Sequence, residues 1–165
     1  MRELAVVNAS PLIYLSKVER LSILRLLAPR IVVPREVFNE IAAKGADGTN
    51  ATVRALRDNA TWLHVADLPV SAANSIVSWD IGAGESAVIA TALANPNCPA
   101  IIDDALGRKC AKTLGVELFG TLGLILIAKQ RGHIDSARAL LSELRAQGMF
   151  LSQSVIDRAV ALVDE

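Results

Sequence analysis

Five side chains able to hold a hard cation recur at the ends of short apolar runs or on helical patterns. Asn8 closes LAVVN, Glu40 and Glu85 fall in helix-like stretches, and Asp103 with Asp104 close PAIIDD. In a compact α/β fold, side chains at the carboxyl ends of adjacent strands converge on one cleft. Carboxylates gathered there repel one another unless a positive charge sits among them, so the pattern predicts a divalent cation. Each residue also has a plainer role. Asp104 suits a helix cap, Glu85 a helix N-terminus, Glu40 a solvated helix face, and Asn8 with Ser10 a strand-to-helix turn. Their conjunction in one ordered pattern favours the cleft.

The elements that must position these residues follow from periodicity and turn chemistry. Strands alternate with helices, which predicts a mainly parallel sheet wrapped on both faces. Residues 4–8 read as a strand, and Ser10 followed by Pro11 starts a helix with a capping hydroxyl and a preset φ. Residues 20–28 continue helically, 31–33 form a short strand, and Pro34 opens a helix to about Ala43. A polar loop (45–50), a helix (53–59) and a strand (62–65) come next. Residues 69–84 are the least regular stretch, with Gly82 and Gly84 framing a turn, and are expected to form a mobile rim. Residues 85–94 are an apolar helix, 100–103 a buried strand, and Asp104 begins a helix. A short strand over 116–119 precedes the helix 121–129, whose nearly all-round apolarity suits burial or a shared face in a homodimer. Helices over 134–147 and 154–163 are separated by Gly148 in a helix-stop position. No repeat or internal boundary interrupts the chain, so one domain is expected over residues 1–165.

Composition narrows the function classes. A length of 165 residues fits one domain with a sizeable core. Although 52% of residues are apolar, no run approaches the roughly 18 that a membrane span needs. The opening residues lack the marks of a secretory signal, and a cytoplasmic location is expected. Cys98 and Cys110 have neither metal nor redox spacing and read as reduced, buried packing groups. His64 and His133 are too isolated for a zinc site, and Trp62 and Trp79 read as packing residues. With 17 basic and 17 acidic residues, the chain cannot hold a polyanion by broad electrostatic attraction; any such ligand is held locally or through a metal.

The blocks VVNASPLIYL (6–15), VPREVFNEI (33–41), GAGESAVIATALA (82–94), IIDDALGRKCAKTLGV (101–116) and LFGTLGLILIAKQRGHI (118–134) resemble the PIN domain family. They are similar in particular to a PIN-like branch of uncharacterised function with SPL, GE and DD-GR motifs. The resemblance is strongest over residues 4–134, leaving 135–165 as C-terminal helices. It implies a three-layer α/β/α fold and an endoribonuclease dependent on Mg²⁺ or Mn²⁺, often the toxin of a toxin-antitoxin pair. RNA, a small antitoxin and a second copy of the chain are the implied partners. The family's first acidic position falls on Asn8 and its hydroxyl position on Ser10. The second, third and fourth acidic positions fall on Glu40, Glu85 and Asp104, with Asp103 beside the last.

Asn8 departs from the family pattern, since an amide oxygen can coordinate a cation but adds no charge. A unit charge about 4 Å from another interacts by about 4 kcal/mol at an effective dielectric near 20, so this loss should weaken metal binding. Whether Asp103 compensates depends on where its strand ends: if before Asp103, both aspartates face the cleft mouth, and if not, alternation separates them. Glu85 and Asp104 are the expected direct ligands, Glu40 a ligand through water or a proton acceptor, and Ser10 a water positioner. Arg108, four residues past Asp104, would reach that carboxylate or a scissile phosphate, and Lys112 would add to an RNA path. The alternative is a PIN-like RNA- or protein-binding module with weak or lost catalysis.

Overall fold

The computed structural model describes residues 2–45, 50–67 and 74–165. Its centre is a five-stranded sheet of β1 (Leu4–Val7), β2 (Arg30–Pro34), β3 (Leu63–Ala66), β4 (Ala100–Ile101) and β5 (Leu118–Phe119), in the order β3-β2-β1-β4-β5. Every pairing is parallel. Parallel strands are covered on both faces and need apolar side chains on both. Ala5, Val6, Val7, Ile31, Val33, Ala100 and Ile101 are accordingly shut off from solvent. The helices that cover the sheet complete the expected α/β/α arrangement.

After β1 come α1 (Ala9–Lys17) and a 3-10 turn (Leu21–Leu26). Helices α2 (Arg35–Ala43) and α3 (Ala51–Asp58) lie between β2 and β3, and α4 (Asn74–Val77) and α5 (Ala83–Ala94) between β3 and β4. Helix α6 (Ala105–Thr113) links β4 to β5, and α7 (Thr121–Gln130), α8 (Ala137–Ala146) and α9 (Gln153–Ala161) follow. The chain moves outward from β1 to β2 and β3, then crosses back to place β4 on the other side of β1. A crevice opens at such a switch point, beyond the carboxyl ends of the two diverging strands. Asn8 directly follows β1, and Asp103 and Asp104 lie just past β4.

Several boundaries differ from the sequence reading. Within the stretch 20–28 only Leu21–Leu26 are regular, as a 3-10 turn that buries Leu21, Ile23 and Leu24. The helix read from residue 85 begins at Ala83, with Gly82 in extended conformation as its cap. Gly84 therefore lies inside the first helical turn and does not frame a bend. The helix read from 134 starts at Ala137, where the Ser136 hydroxyl accepts from Ala139 N–H. Gly148 ends α8 as expected: at φ +100 it donates to Arg145 O while Met149 donates to Leu144 O, closing both orphan carbonyls. Residues 46–49 of the polar loop and 69–73 of the expected rim lie outside the described residues.

Helix α7 buries Leu124, Ile125 and Ala128 completely and packs against the 3-10 turn, α8 and α9. Cys98 and Cys110 are free and buried, and burial pushes the Cys98 thiol up to about 11, so it packs as a neutral group. Among the described residues, no helix is long and apolar enough to cross a membrane.

Candidate functional site

The first residue beyond β1 organises the crevice. Asn8 N–H donates to Ile101 O at 3.0 Å, tying the ends of β1 and β4 together. Its backbone is extended and stands at the cap position of α1, yet its side chain makes no capping bond. Instead Nδ2 donates to Glu85 Oε1 at 2.9 Å, reaching across to the first turn of α5. Asn8 is only 2% exposed, and its Oδ1 is buried without a hydrogen-bond partner. Leaving a buried acceptor unsatisfied costs on the order of 1–3 kcal/mol. Exchanging the amide oxygen and nitrogen would not relieve it, because Oδ1 would then face the Glu85 carboxylate. The bond to Glu85 thus determines which atom is left without a partner.

Two glycines set the spacing around this amide. A Cβ on Gly84 would lie 2.8 Å from Glu40 Oε2 and 3.3 Å from Asn8 Oδ1, so both oxygens share the space against the bare helix turn. A Cβ on Gly107 would lie 3.1 Å from Glu85 Cγ and 3.5 Å from Asp104 Oδ2. Around the crevice the order is therefore Glu40, Asn8, Glu85, Asp104, drawn from α2, the end of β1, α5 and the start of α6. Asp104 also caps α6 through Oδ2, which accepts from Gly107 N–H at 2.8 Å. Glu40 stands near the end of α2 with its side chain 40% exposed and Lys44 Nζ at 3.4 Å. The approaches are pairwise: Glu40 to Asn8 across Gly84, Asn8 to Glu85 by a hydrogen bond, and Glu85 to Asp104 across Gly107.

Asp103 does not join them. Strand β4 stops at Ile101 and both aspartates line one groove, but their hydrogen-bond partners differ. Asp103 accepts from Thr121 N–H and from Thr121 Oγ1, both at 2.7 Å, and from Ser10 Oγ at 3.4 Å. Its oxygens tie the start of α1 and the start of α7 to the end of β4, a joining role that leaves little capacity for an ion. Ser10 faces this cluster. Arg108 does not pair with Asp104 either, because that carboxylate is engaged as a cap. Its Nη1 donates to Ile102 O at 2.8 Å, and a Cβ on Gly120 would lie 2.8 Å from that nitrogen and 3.2 Å from Asp103 Oδ1. Lys112 lies exposed one turn further along α6.

Among the described residues, no three His, Cys, Asp or Glu side chains form a group able to hold a metal ion. The convergent carboxylates expected from the sequence do not form such a group by themselves. Glu85 and Asp104 each use an oxygen on a protein donor, and the fourth member is an uncharged amide. Sequence reasoning missed Gly84 and Gly107, whose missing side chains leave room for the acids, and Thr121, whose Gly-Thr entry into a helix was a readable signal. It also missed an open groove of about 730 Å³ lined by Ser10, Asp103, Asp104 and Arg108 together with Tyr14, Phe119 and Phe150.

A family model described as a PIN domain matches residues 4–165 of the chain. No curated protein matches it.

Proposed function

Because the chain belongs to the PIN domain family, a nuclease-type fold whose members generally use divalent metals and commonly bind RNA, we propose that it is a metal-dependent endoribonuclease resembling the toxin of a toxin-antitoxin pair. The observation that carries this reading is the buried, unpartnered Oδ1 of Asn8, facing the same space as the Glu40 carboxylate. A hard cation is the partner that both an orphaned amide oxygen and its acidic neighbours accept. In this reading Mg²⁺ or Mn²⁺ would sit against Asn8 Oδ1, with Glu40, Glu85 and Asp104 holding it directly or through water. When bound there, such an ion supplies Lewis-acid polarisation of a phosphodiester oxygen and lowers the pKa of a water.

The chain's own residues have separable tasks in this reading. Glu85 is oriented by the Asn8 amide. Glu40, the carboxylate that faces the unpartnered oxygen while retaining solvent access, takes the proton of an attacking water. Arg108 orients a phosphate in the groove once its guanidinium leaves the Ile102 carbonyl, with Lys112 further along the same helix. Asp103, Ser10 and Thr121 keep the strand ends in register beneath the reaction. A small antitoxin and a second copy of the chain are the protein partners of this proposal.

One observation favours a second reading. The Asn8 amide engages a Glu85 oxygen and brings no charge of its own, which suits an RNA- or protein-binding module with weak or lost catalysis. Calorimetric titration with Mn²⁺, together with cleavage of a mixed RNA pool, separates the two. The enzyme predicts that both respond and that Asp104→Asn abolishes cleavage while keeping the fold, since asparagine caps a helix as well as aspartate. RNA binding with neither metal uptake nor cleavage would establish the module instead.

A further inference from the structure

We infer that Phe150 is a base-stacking platform and that the groove beneath it takes single-stranded polynucleotide leading to the acidic crevice. Phe150 is 99% exposed, whereas Met149 and Leu151 on either side pack against the core. Those two anchors and the Gly148 turn hold the ring out in water, where it forfeits the roughly 1.5–3 kcal/mol that burying a large apolar side chain brings. Such a ring contributes nothing to the fold and gains from any flat apolar partner.

The neighbouring wall has the composition that suits bases joined by phosphates. Tyr14 and Phe119 line the same groove, with Lys17 Nζ 5.3 Å from the Tyr14 ring centre and the Arg2 guanidinium 5.2 Å from that of Phe119. Tyr14 Oη donates to Gly148 O at 3.1 Å and Lys17 Nζ to Gln147 O at 3.4 Å, so an aromatic ring and a cation are tied to the segment that carries Phe150. Asp104 and Arg108 line the same groove. Because the whole chain is charge-balanced, long-range attraction supplies little affinity and local stacking must supply it. Stacking of bases on aromatic rings tolerates any sequence and requires bases not already stacked in a duplex. Arg2 is already paired with Glu117, so an apolar peptide here would leave Lys17 as the cation without a counter-charge.

This inference rests on the nuclease reading of the crevice, and its test keeps the two apart. Binding of a labelled single-stranded oligoribonucleotide is measured by fluorescence anisotropy in EDTA, for wild type, Phe150→Ala and Phe150→Trp, with a duplex of the same sequence as comparison. Loss of one stacked base predicts binding weaker by about tenfold in Phe150→Ala. Phe150→Trp should bind at least as well as wild type, the duplex should bind more weakly than the single strand, and its binding should not respond to either change. The melting temperature should stay constant, since an exposed ring adds nothing to stability. Equal single-strand binding by Phe150→Ala overturns the inference, while persisting Mn²⁺-dependent cleavage leaves the nuclease reading standing. A wild type that neither binds nor cleaves the strand with Mn²⁺ overturns both. Loss of a dimer in Phe150→Ala by light scattering, with RNA binding unchanged, overturns the inference in favour of an interface between copies.

Discussion

Asn8 concentrates the energetics of the crevice in one side chain. As an amide it bonds to Glu85 and leaves one acceptor without a partner; as a carboxylate it would repel Glu85 and attract a cation more strongly. Asn8→Asp therefore separates stability from affinity. In EDTA the variant should melt several degrees lower, because it buries a second negative charge beside the first. With Mn²⁺ its affinity should rise tenfold or more over wild type, read by calorimetry; an unchanged affinity would show that position 8 does not face the ion. The identity of Asn8 and its place at a strand end were legible in the sequence. The partner of each carboxylate was not, because Asp103 and Asp104 are adjacent in sequence and only the fold shows that Thr121 and Ser10 claim the first. Phe150 was equally illegible: an apolar residue between two others reads as core until their packing turns it outward.

At the scale of elements, the alternation of strands and helices was readable because buried parallel strands need continuous apolar runs and helices need caps. What failed was boundaries governed by packing. Gly82 and Gly84 read as framing a turn, yet Gly84 lies in α5, where Glu40 and Asn8 occupy the space a side chain would take. Gly84→Ala should consequently remain folded, with the helix gaining up to about 1 kcal/mol of propensity against a clash that Glu40 can yield to by moving. Its Mn²⁺ affinity should fall at least fivefold by calorimetry, and an unaltered affinity would remove Gly84 from the site.

A second element-level prediction concerns the start of α8. Glu165 accepts from the N–H groups of Ala137 and Arg138 at 2.8 and 3.0 Å and pairs with Lys129 at 3.2 Å. The backbone donors of Arg138 and Ala137 hold its carboxyl well below the ordinary range, at about 2. With the folded value below the unfolded one, this contribution is complete above the ordinary carboxylate value of 4.5 and disappears as pH falls from there towards 2. Glu165→Gln should lower the melting temperature at pH 7, and the difference from wild type should shrink as the pH is taken down through that window. A difference independent of pH would show that the charge is not what secures the helix start.

For the whole molecule, balanced charge means that RNA is held by few local contacts. The slope of log affinity against log salt should be shallow, between about −1 and −2, as expected for the two or so phosphates that Lys17 and Arg108 can neutralise. A slope of −5 or steeper would indicate a basic surface that the sequence and the groove do not contain. The sheet order brings strand ends from distant parts of the chain to one switch point, and a cation bound there should stabilise the fold by mass action. At a hundredfold excess over its dissociation constant this amounts to about 2.7 kcal/mol. The most direct test is anomalous diffraction from crystals soaked in Mn²⁺. A peak within coordination distance of Asn8 Oδ1 and at least one oxygen of Glu40, Glu85 or Asp104 is predicted; saturating Mn²⁺ that leaves this crevice without a peak would contradict the account.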